Sequence, residues 1–175
     1  MHIFTDRKHI IIDTRSEKEF IEHHIENSVF VGFHGAGFKY WLELLLPDKN
    51  IDIEVICDEQ DCQKIVSTIT GLGYKNVAVM TNLIKAAPLA TISSLSNVDQ
   101  EVLDLRQSDE SQTDSDYLPV AEIIQAKPKY SESAYIAHSD SSYRSLIAVS
   151  LLKLLGFCKL IYVDKHELEQ QKRLK

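Results

Sequence analysis

Short apolar runs alternate with amphipathic segments along the first half of the chain. The apolar runs lie at 9–13, 28–31, 51–57 and 77–80. Between them, residues 38–46 and 61–72 place apolar side chains three or four positions apart, and Ser16, followed by Glu17 and Glu19, begins another helical segment. Strands that alternate with helices predict an α/β fold, with a mostly parallel sheet and helices on both faces.

The second half of the chain repeats this pattern. Apolar runs at 102–104, 135–138 and 160–163 accompany a helical segment at 142–155. Two pairs of segments are also similar in sequence: HIIIDTRSEKEF with QEVLDLRQSDES, and TGLGYKNVAVM with KLLGFCKLIYV. Because both pairs keep the same order along the chain, they predict two similar units. We place these units at residues 1–90 and 97–175, joined by a Ser-rich linker at about 88–97.

The composition is that of a soluble globular protein. The chain has 175 residues, of which 44% are hydrophobic and 26% are charged, and its formal net charge is −7. This acidic balance argues against nucleic acid or an anionic membrane as a partner, because both require clustered Lys and Arg. No apolar run is long enough to span a membrane, and charges interrupt the first residues where a signal peptide would be apolar. We therefore expect a cytoplasmic protein.

The cysteines and histidines do not form a recognisable framework. The three cysteines, Cys57, Cys62 and Cys158, are an odd number, and the first two are separated by four residues rather than the two of a redox or zinc pair. The seven histidines are scattered along the chain. The sequence therefore predicts no structural disulfide, no bound metal and no cofactor.

A loop in the second half has the shape of an anion site. It follows the apolar run 135–138, precedes the helical segment, and consists of Ser139, Asp140, Ser141, Ser142, Tyr143 and Arg144. Backbone N–H groups at a helix N-terminus, with an arginine beside them, are typical of sites for an anion or a thiolate. We therefore predict that this loop binds a small anion. A hydrolytic serine is disfavoured, because His138 and Ser139 are adjacent on a strand and point to opposite faces.

These segments resemble the rhodanese-like domain. The resemblance lies in DTRSEKEF, in EHHIENSVFV at 22–31, and in the Leu-Gly-aromatic segments. The family's active loop is Cys-x-x-Gly-x-Arg-Ser, and the sequence at 139–145 is SDSSYRS. The resemblance implies two tandem rhodanese-like units and a sulfurtransferase reaction. In that reaction a loop cysteine takes a sulfane sulfur from a donor and becomes a persulfide. It then transfers that sulfur to an acceptor.

A narrower resemblance concerns FKYWLELLLPDKN at 38–50. This segment is similar to the first rhodanese-like unit that follows the metallo-β-lactamase-fold domain in some bacterial fusion hydrolases, which resemble persulfide dioxygenases and glyoxalase II enzymes. The His-x-His-x-Asp-His motif that binds metal in those hydrolases does not occur in this sequence. The resemblance implies a hydrolase partner, either encoded upstream in the same chain or acting in trans.

Both loops depart from the family pattern. In the second unit, Ser139 cannot form a persulfide, and Ser142 replaces the glycine. In the first unit, Cys57 has the nucleophile position, but Gln60 replaces the glycine and Cys62 replaces the arginine. A rhodanese cysteine must be ionised near neutral pH, which requires nearby positive charge. The second unit keeps Arg144 but lacks the cysteine, and the first keeps the cysteine but lacks the arginine, so the sequence predicts a catalytically degenerate module.

The alternative is a single-site sulfurtransferase that carries a persulfide on Cys57. Three carboxylates, from Asp58, Glu59 and Asp61, follow this cysteine in the sequence. Neighbouring negative charge disfavours a thiolate, so these carboxylates argue for the degenerate module. Cys62 lies one helical turn beyond Cys57 and is placed to resolve an oxidised form of it.

Overall fold

The chain divides into two compact units, Met1–Pro88 and Leu89–Lys175, which are described separately. The structure is a computed structural model, and it describes residues 4, 7–35, 37–80, 86–89, 101–104, 116–117, 120–124, 135–138, 141–157 and 159–162. The division after Pro88 falls where the predicted linker 88–97 begins. That the second unit has a rhodanese-like fold remains a prediction.

The first unit is built around a four-stranded parallel sheet, as the alternating pattern predicts. In chain order its elements are β1 (His9–Asp13), α1 (Glu17–His23), β2 (His24–Ile25), β3 (Ser28–Phe30), α2 (Phe38–Leu45), β4 (Asp52–Ile56), α3 (Cys62–Gly71), β5 (Asn76–Val79) and β6 (Ala86–Ala87). The strand order is β3-β1-β4-β5, and all of these pairs are parallel. The short strands β2 and β6 form a separate antiparallel pair.

The two central strands form the core of this unit. Ile12 of β1 lies opposite Val55 of β4, and both side chains are fully buried. Their neighbours Ile10 and Ile53 are also opposite each other and buried. A parallel strand covered by helices on both faces requires such a nearly continuous apolar run. The apolar runs of the sequence therefore place the centre of the sheet correctly.

The first helix begins where the sequence predicts. The Ser16 hydroxyl accepts a hydrogen bond from the Glu19 backbone N–H, and the Glu19 carboxylate accepts one from the Ser16 backbone N–H. This reciprocal capping box satisfies two N–H groups that the first helical turn leaves unpaired. It fixes the path of the chain from β1 into α1. The buried ring of Phe20 then packs against Phe30 at a centroid distance of 5.1 Å.

The third helix ends at Gly73, the glycine of the Leu-Gly-aromatic segment that occurs in both halves of the chain. Gly73 has φ +94°, a conformation that costs L-residues energy, and its N–H donates to the Thr70 carbonyl. The next residue, Tyr74, is buried, and its hydroxyl donates to the Leu46 carbonyl at 2.7 Å. The Leu-Gly-aromatic segment therefore ends a helix and anchors the chain before β5.

The second unit also contains a four-stranded parallel sheet. Its elements are β7 (Glu101–Asp104), β8 (Asp116–Tyr117), α4 (Val120–Ile123), β9 (Tyr135–His138), α5 (Ser142–Leu154) and β10 (Leu160–Tyr162). The strand order is β10-β9-β7-β8, with parallel pairs throughout. Read from the other edge, the order is β8-β7-β9-β10, which places the strands second, first, third and fourth along the chain. The sheet of the first unit, β3-β1-β4-β5, has the same order.

Helix α5 is buried on almost every side. From Ser145 to Leu152 every side chain is buried, and no face of this stretch is polar and exposed. A helix that is apolar all round belongs in a protein core. At its end Gly156 has φ +96°, and the next residue, Phe157, is buried. Gly73 and the buried Tyr74 form the same sequence of a positive-φ glycine and an aromatic residue in the first unit.

The short elements escaped the sequence analysis. The strands β2, β6 and β8 have two residues each, and α4 has four, so none is long enough to produce a periodic pattern. The tail KHELEQQKRLK at 165–175, whose sequence predicts a closing helix, lies outside the described residues. Among the described residues, no helix combines the length and the apolar character that crossing a bilayer requires.

Candidate functional site

The candidate site lies at the carboxyl ends of the two central strands of the first unit. Thr14, directly after β1, bonds to the carbonyl of Ile56, the last residue of β4, through its backbone N–H at 2.9 Å and its hydroxyl at 2.7 Å. Cys57 follows Ile56 and is half-buried. Ligands of open parallel sheets bind at this edge, so Cys57 stands at the expected position for a reactive group.

Cys57 and Cys62 form a disulfide, which corrects the prediction that the chain has no such bond. Their sulfur atoms are 2.10 Å apart and their Cα atoms 5.5 Å apart. A tight turn brings them together: the Asp58 carbonyl accepts hydrogen bonds from the N–H groups of Asp61 and Cys62, at 2.9 and 3.1 Å. An odd cysteine count excludes a framework in which all cysteines pair. It does not exclude one pair within a single turn.

A buried ion pair lies beside this loop. Arg15 donates two hydrogen bonds to the Asp13 carboxylate, at 3.0 Å from Nε and 2.6 Å from Nη2, and a third to the His23 carbonyl at 2.8 Å. The Asp13 side chain is fully buried and that of Arg15 is 9% exposed. Burial raises the pKa of Asp13, against the lowering effect of Arg15. The guanidinium is therefore committed to Asp13 and the α1 backbone.

Two further carboxylates interact next to the disulfide. Burial raises the pKa of Asp58, and the neighbouring charge of Glu19 raises it further. The hydrogen bond from the Ser16 hydroxyl lowers the pKa of Glu19, although burial opposes this effect. A carboxyl whose protonation is favoured by a like charge indicates a locally negative environment. The carboxylates of Asp58 and Glu19 therefore lie next to the disulfide, and the charge of the nearby Arg15 guanidinium lowers the pKa of Asp58 against their effect.

A third carboxylate stands at the start of α3. Asp61 is the N-cap residue, yet its side chain makes no capping hydrogen bond. Its carboxylate lies 2.7 Å from Nε2 of His34, whose side chain is 70% exposed. In the described part of the chain, no group of three or more His, Cys, Asp or Glu side chains is arranged to hold a metal ion.

Part of the second loop can be placed. Ser139 and Asp140 lie outside the described residues, and Ser141 is the N-cap of α5. Its hydroxyl accepts a hydrogen bond from the Arg144 N–H at 3.5 Å, and its carbonyl accepts one from the Ser145 N–H at 3.0 Å.

The remaining loop residues belong to the helix. Ser142 is the first residue of α5, Tyr143 is buried, and Arg144 lies in the first turn. The N–H group of Arg144, which belongs to the predicted anion loop, is thus bonded to Ser141, as is that of the next residue, Ser145. Anion binding by this loop remains a prediction.

Sequence reasoning missed two groups near the first loop. Glu19 appeared only as a capping residue, although its carboxylate also interacts with Asp58. His34 lies in a segment without periodic pattern, so nothing in the sequence linked it to Asp61. Both contacts depend on tertiary structure: the first joins the start of α1 to the loop after β4, and the second spans 27 residues.

Two solved structures are similar to this chain. One solved structure, a thiosulfate sulfurtransferase from Pseudomonas aeruginosa, has 14% identity and a TM-score of 0.36, covering 91% of this chain and 41% of that one. Another, EanB in complex with hercynine, has 10% identity and a TM-score of 0.42, covering 97% and 58%. The chain thus spans about half the length of these structures. No curated protein matches in sequence.

The family itself is established for the first unit. Residues 2–86 match the family model of the rhodanese-like domain, which covers the sheet β3-β1-β4-β5 and the loop containing Cys57. The parallel sheet and its covering helices are what that family predicts. This chain therefore contains a rhodanese-like domain at residues 2–86.

Proposed function

We propose that the chain is a catalytically degenerate tandem rhodanese-like module that does not transfer sulfur from thiosulfate to cyanide. The observation that carries this proposal is the state of Cys57, which is bonded to Cys62 among the carboxylates of Asp58 and Asp61. The nearby guanidinium of Arg15 is committed to Asp13. The module contributes folding, oligomer formation or substrate positioning rather than chemistry on sulfane sulfur.

Electrostatics is the physical reason for this proposal. A rhodanese cysteine acts as a thiolate, which positive charge and helix N–H groups must stabilise. Thiosulfate is a dianion, so its approach also requires positive charge. Here the mouth of the loop presents Asp58, Glu59 and Asp61, and Glu59 is exposed. Both the attacking group and the substrate are therefore disfavoured.

The tandem part of the proposal is supported by the internal likeness of the two units. The sheets share one strand order, and Gly73 and Gly156 end corresponding helices with almost the same φ. In each unit the loop position for the nucleophile directly follows the third strand along the chain. Cys57 occupies it in one unit and Ser139 in the other.

The alternative function is a single-site sulfurtransferase that carries a persulfide on Cys57. One observation favours it: Cys57 is half-buried at the carboxyl end of a central strand, so a donor can reach it once the disulfide is reduced. The two functions differ in whether reduced Cys57 accepts a sulfane sulfur.

A sulfurtransferase assay separates the two functions. The full chain is reduced, freed of reductant and assayed for thiocyanate formation from thiosulfate and cyanide, beside Cys57→Ala and the control Cys158→Ala. The proposal expects the same background rate for all three proteins. A rate that Cys57→Ala abolishes and Cys158→Ala retains would establish the alternative.

The proposal includes a cytoplasmic location and a metallo-β-lactamase-fold hydrolase as partner, upstream or in trans. The segment 38–50 supports the hydrolase, through its similarity to fusion hydrolases. A His-x-His-x-Asp-His motif in the reading frame directly upstream is the expected finding. If neither that frame nor its neighbours encode such a motif, this part of the proposal fails.

A further inference from the structure

The Cys57–Cys62 disulfide lies in an accessible loop rather than in the core. Both cysteines are half-buried, whereas the strand residues before them, Val55 and Ile56, are buried. Thiol–disulfide exchange begins with attack of a thiolate on a sulfur atom, so access to that atom is the first requirement. The loop meets this requirement at the open edge of the sheet.

Backbone hydrogen bonds hold the loop in addition to the disulfide. The Asp58 carbonyl holds the turn through two backbone N–H groups, and the Ile65 N–H continues the helix to the Asp61 carbonyl at 2.9 Å. The Sγ atom of Cys62 also lies 3.3 Å from the Asp58 carbonyl oxygen, which is an acceptor for the thiol once the bond is reduced. These hydrogen bonds do not involve the S–S bond and are available to the reduced pair.

The bond also closes a very short loop. Its two cysteines are separated by only five positions in the sequence. The entropy that a disulfide removes from the unfolded chain increases with loop length, so this bond contributes little as a structural crosslink. Access, a fixed turn and a short loop together are typical of a pair that opens and closes reversibly.

We propose that Cys57 and Cys62 form a thiol–disulfide exchange site whose substrates are dithiols in one direction and small disulfides in the other. This activity goes beyond the proposed function, because it requires no sulfane sulfur. In the reductive direction, a substrate thiolate bonds to Sγ of Cys57. The Cys57–Cys62 bond breaks, and Cys62 leaves as a thiolate and takes up a proton.

The second step completes the transfer of two electrons. The other thiol of the substrate loses its proton and attacks the substrate sulfur of the mixed disulfide. Cys57 is then released and protonated. The substrate leaves as a disulfide, oxidised by two electrons, and the cysteine pair is reduced by two. A small disulfide such as oxidised glutathione reverses the sequence and is itself reduced to two thiols.

The position of the two cysteines sets the direction of attack. Cys62 is the first residue of α3, a helix of ten residues, so its thiolate lies at the positive end of the helix dipole. Cys57 precedes the helix, and because each cysteine adjoins one carboxylate, Asp58 or Asp61, the helix dipole is the difference between the two sulfur atoms. The thiol that is better stabilised as a thiolate leaves faster, so the incoming sulfur bonds to Cys57 and Cys62 is expelled.

Mixed-disulfide mapping tests this proposal. The chain with Cys158→Ser is the parent, and Cys57→Ser and Cys62→Ser are added to it separately. Each reduced protein is treated with oxidised glutathione, quenched with acid at intervals and analysed by intact mass and peptide mapping. The parent should form the intramolecular disulfide with little adduct. The Cys62→Ser variant should hold glutathione on Cys57, with an adduct lifetime at least roughly tenfold longer than in the parent.

Two outcomes would overturn the proposal. One is a parent protein that accumulates glutathione on separate cysteines without closing the bond. The other is an oxidised parent that dithiothreitol reduces only after a denaturant is added, which would make the bond a structural one. Neither outcome depends on thiosulfate, so the sulfurtransferase assay and this experiment can fail independently.

Discussion

In each unit a loop follows the third strand of the four-stranded sheet, which is β4 in the first unit and β9 in the second. The two loops have equivalent places in the strand order but differ in construction. In the first unit, five residues, 57–61, separate β4 from α3, and a disulfide joins the first of them to the start of the helix. In the second unit, three residues, 139–141, separate β9 from α5, and the cap residue Ser141 bonds to the first helical turn. The same strand order therefore supports two different helix starts.

This difference shows which parts of the fold are constrained. The sheet order and the glycine that ends each helix are shared by both units. The groups that would make a reactive loop differ: a bonded cysteine among carboxylates in one unit, and a serine position in the other. Core packing penalises changes in the strands, whereas the exposed edge accepts changes in chemistry.

The largest expected effect concerns the Asp13–Arg15 ion pair beside the first loop. Arg15→Ala leaves the fully buried Asp13 carboxylate without its partner and should lower the free energy of unfolding by about 3 kcal/mol. Urea unfolding followed by the fluorescence of Trp41, the chain's single tryptophan, reports on the first unit. Lys18→Ala is the control, because that side chain is 81% exposed and its loss should have little effect.

The same substitution in the second unit sharpens the comparison. The sequence repeats Asp-x-Arg at 104 and 106. If Asp104 and Arg106 form the same kind of ion pair, Arg106→Ala should lower the free energy of unfolding of the second unit by a similar amount, measured by circular dichroism. The unfolding transition that Trp41 reports for the first unit should not change. If Arg15→Ala destabilises the first unit and Arg106→Ala leaves the second unit unchanged, the two Asp-x-Arg segments have different roles.

The helix-ending glycines should behave alike in both units. Gly73→Ala and Gly156→Ala place a Cβ at φ +94° and +96°, and each should cost about 1–2 kcal/mol. Gly71→Ala is the matched control: this glycine has no positive φ and no atom within 4 Å of an added Cβ. Denaturant unfolding measures all three variants. Equal costs at Gly71 and Gly73 would contradict the role given to backbone conformation.

The helix starts should behave differently. Ser141→Ala removes the capping acceptor of α5 and should lower the free energy of unfolding by about 1 kcal/mol. Asp61→Ala at the corresponding place in α3 removes no capping hydrogen bond, only the contact with the largely exposed His34, and should change the free energy of unfolding by less than about 0.5 kcal/mol. Thermal unfolding of both variants measures the two losses of stability. A larger loss for Asp61→Ala than for Ser141→Ala would contradict the expected difference.

The smallest effect is a dependence on pH at the start of α1. The Ser16 hydrogen bond lowers the folded-state pKa of Glu19 from its ordinary value of 4.5, so the unfolded chain binds this proton more readily. The resulting stabilisation is present above pH 4.5 and is lost as the pH falls through the lowered folded-state pKa. The stability difference between wild type and Glu19→Gln should therefore narrow on acidification. A difference that widens would contradict this sign.

The sequence predicted the regular elements because burial imposes periodic patterns. The predicted bounds of β1 and β9 are those observed, and α2 and α5 end within one residue of expectation. The capping box at Ser16 was also visible, because it depends on residues three positions apart.

The sequence did not predict the chemistry of the first loop. The disulfide requires the turn at Asp58 to bring Cys57 and Cys62 together, and spacing alone does not specify that turn. The interaction of Glu19 with Asp58 joins two segments that are distant along the chain. Such contacts bring the start of α1 to the loop after β4, which no local pattern encodes.

The most direct test of the account is whether reduced Cys57 accepts a sulfur atom from thiosulfate. The chain carrying Cys62→Ser and Cys158→Ser is the suitable protein, because no second cysteine can remove a persulfide from Cys57. After reduction and incubation with thiosulfate, intact mass analysis should show no species heavier by one sulfur atom. A stable gain of one sulfur, located at Cys57 by peptide mapping, would contradict the degenerate module and establish a sulfur carrier.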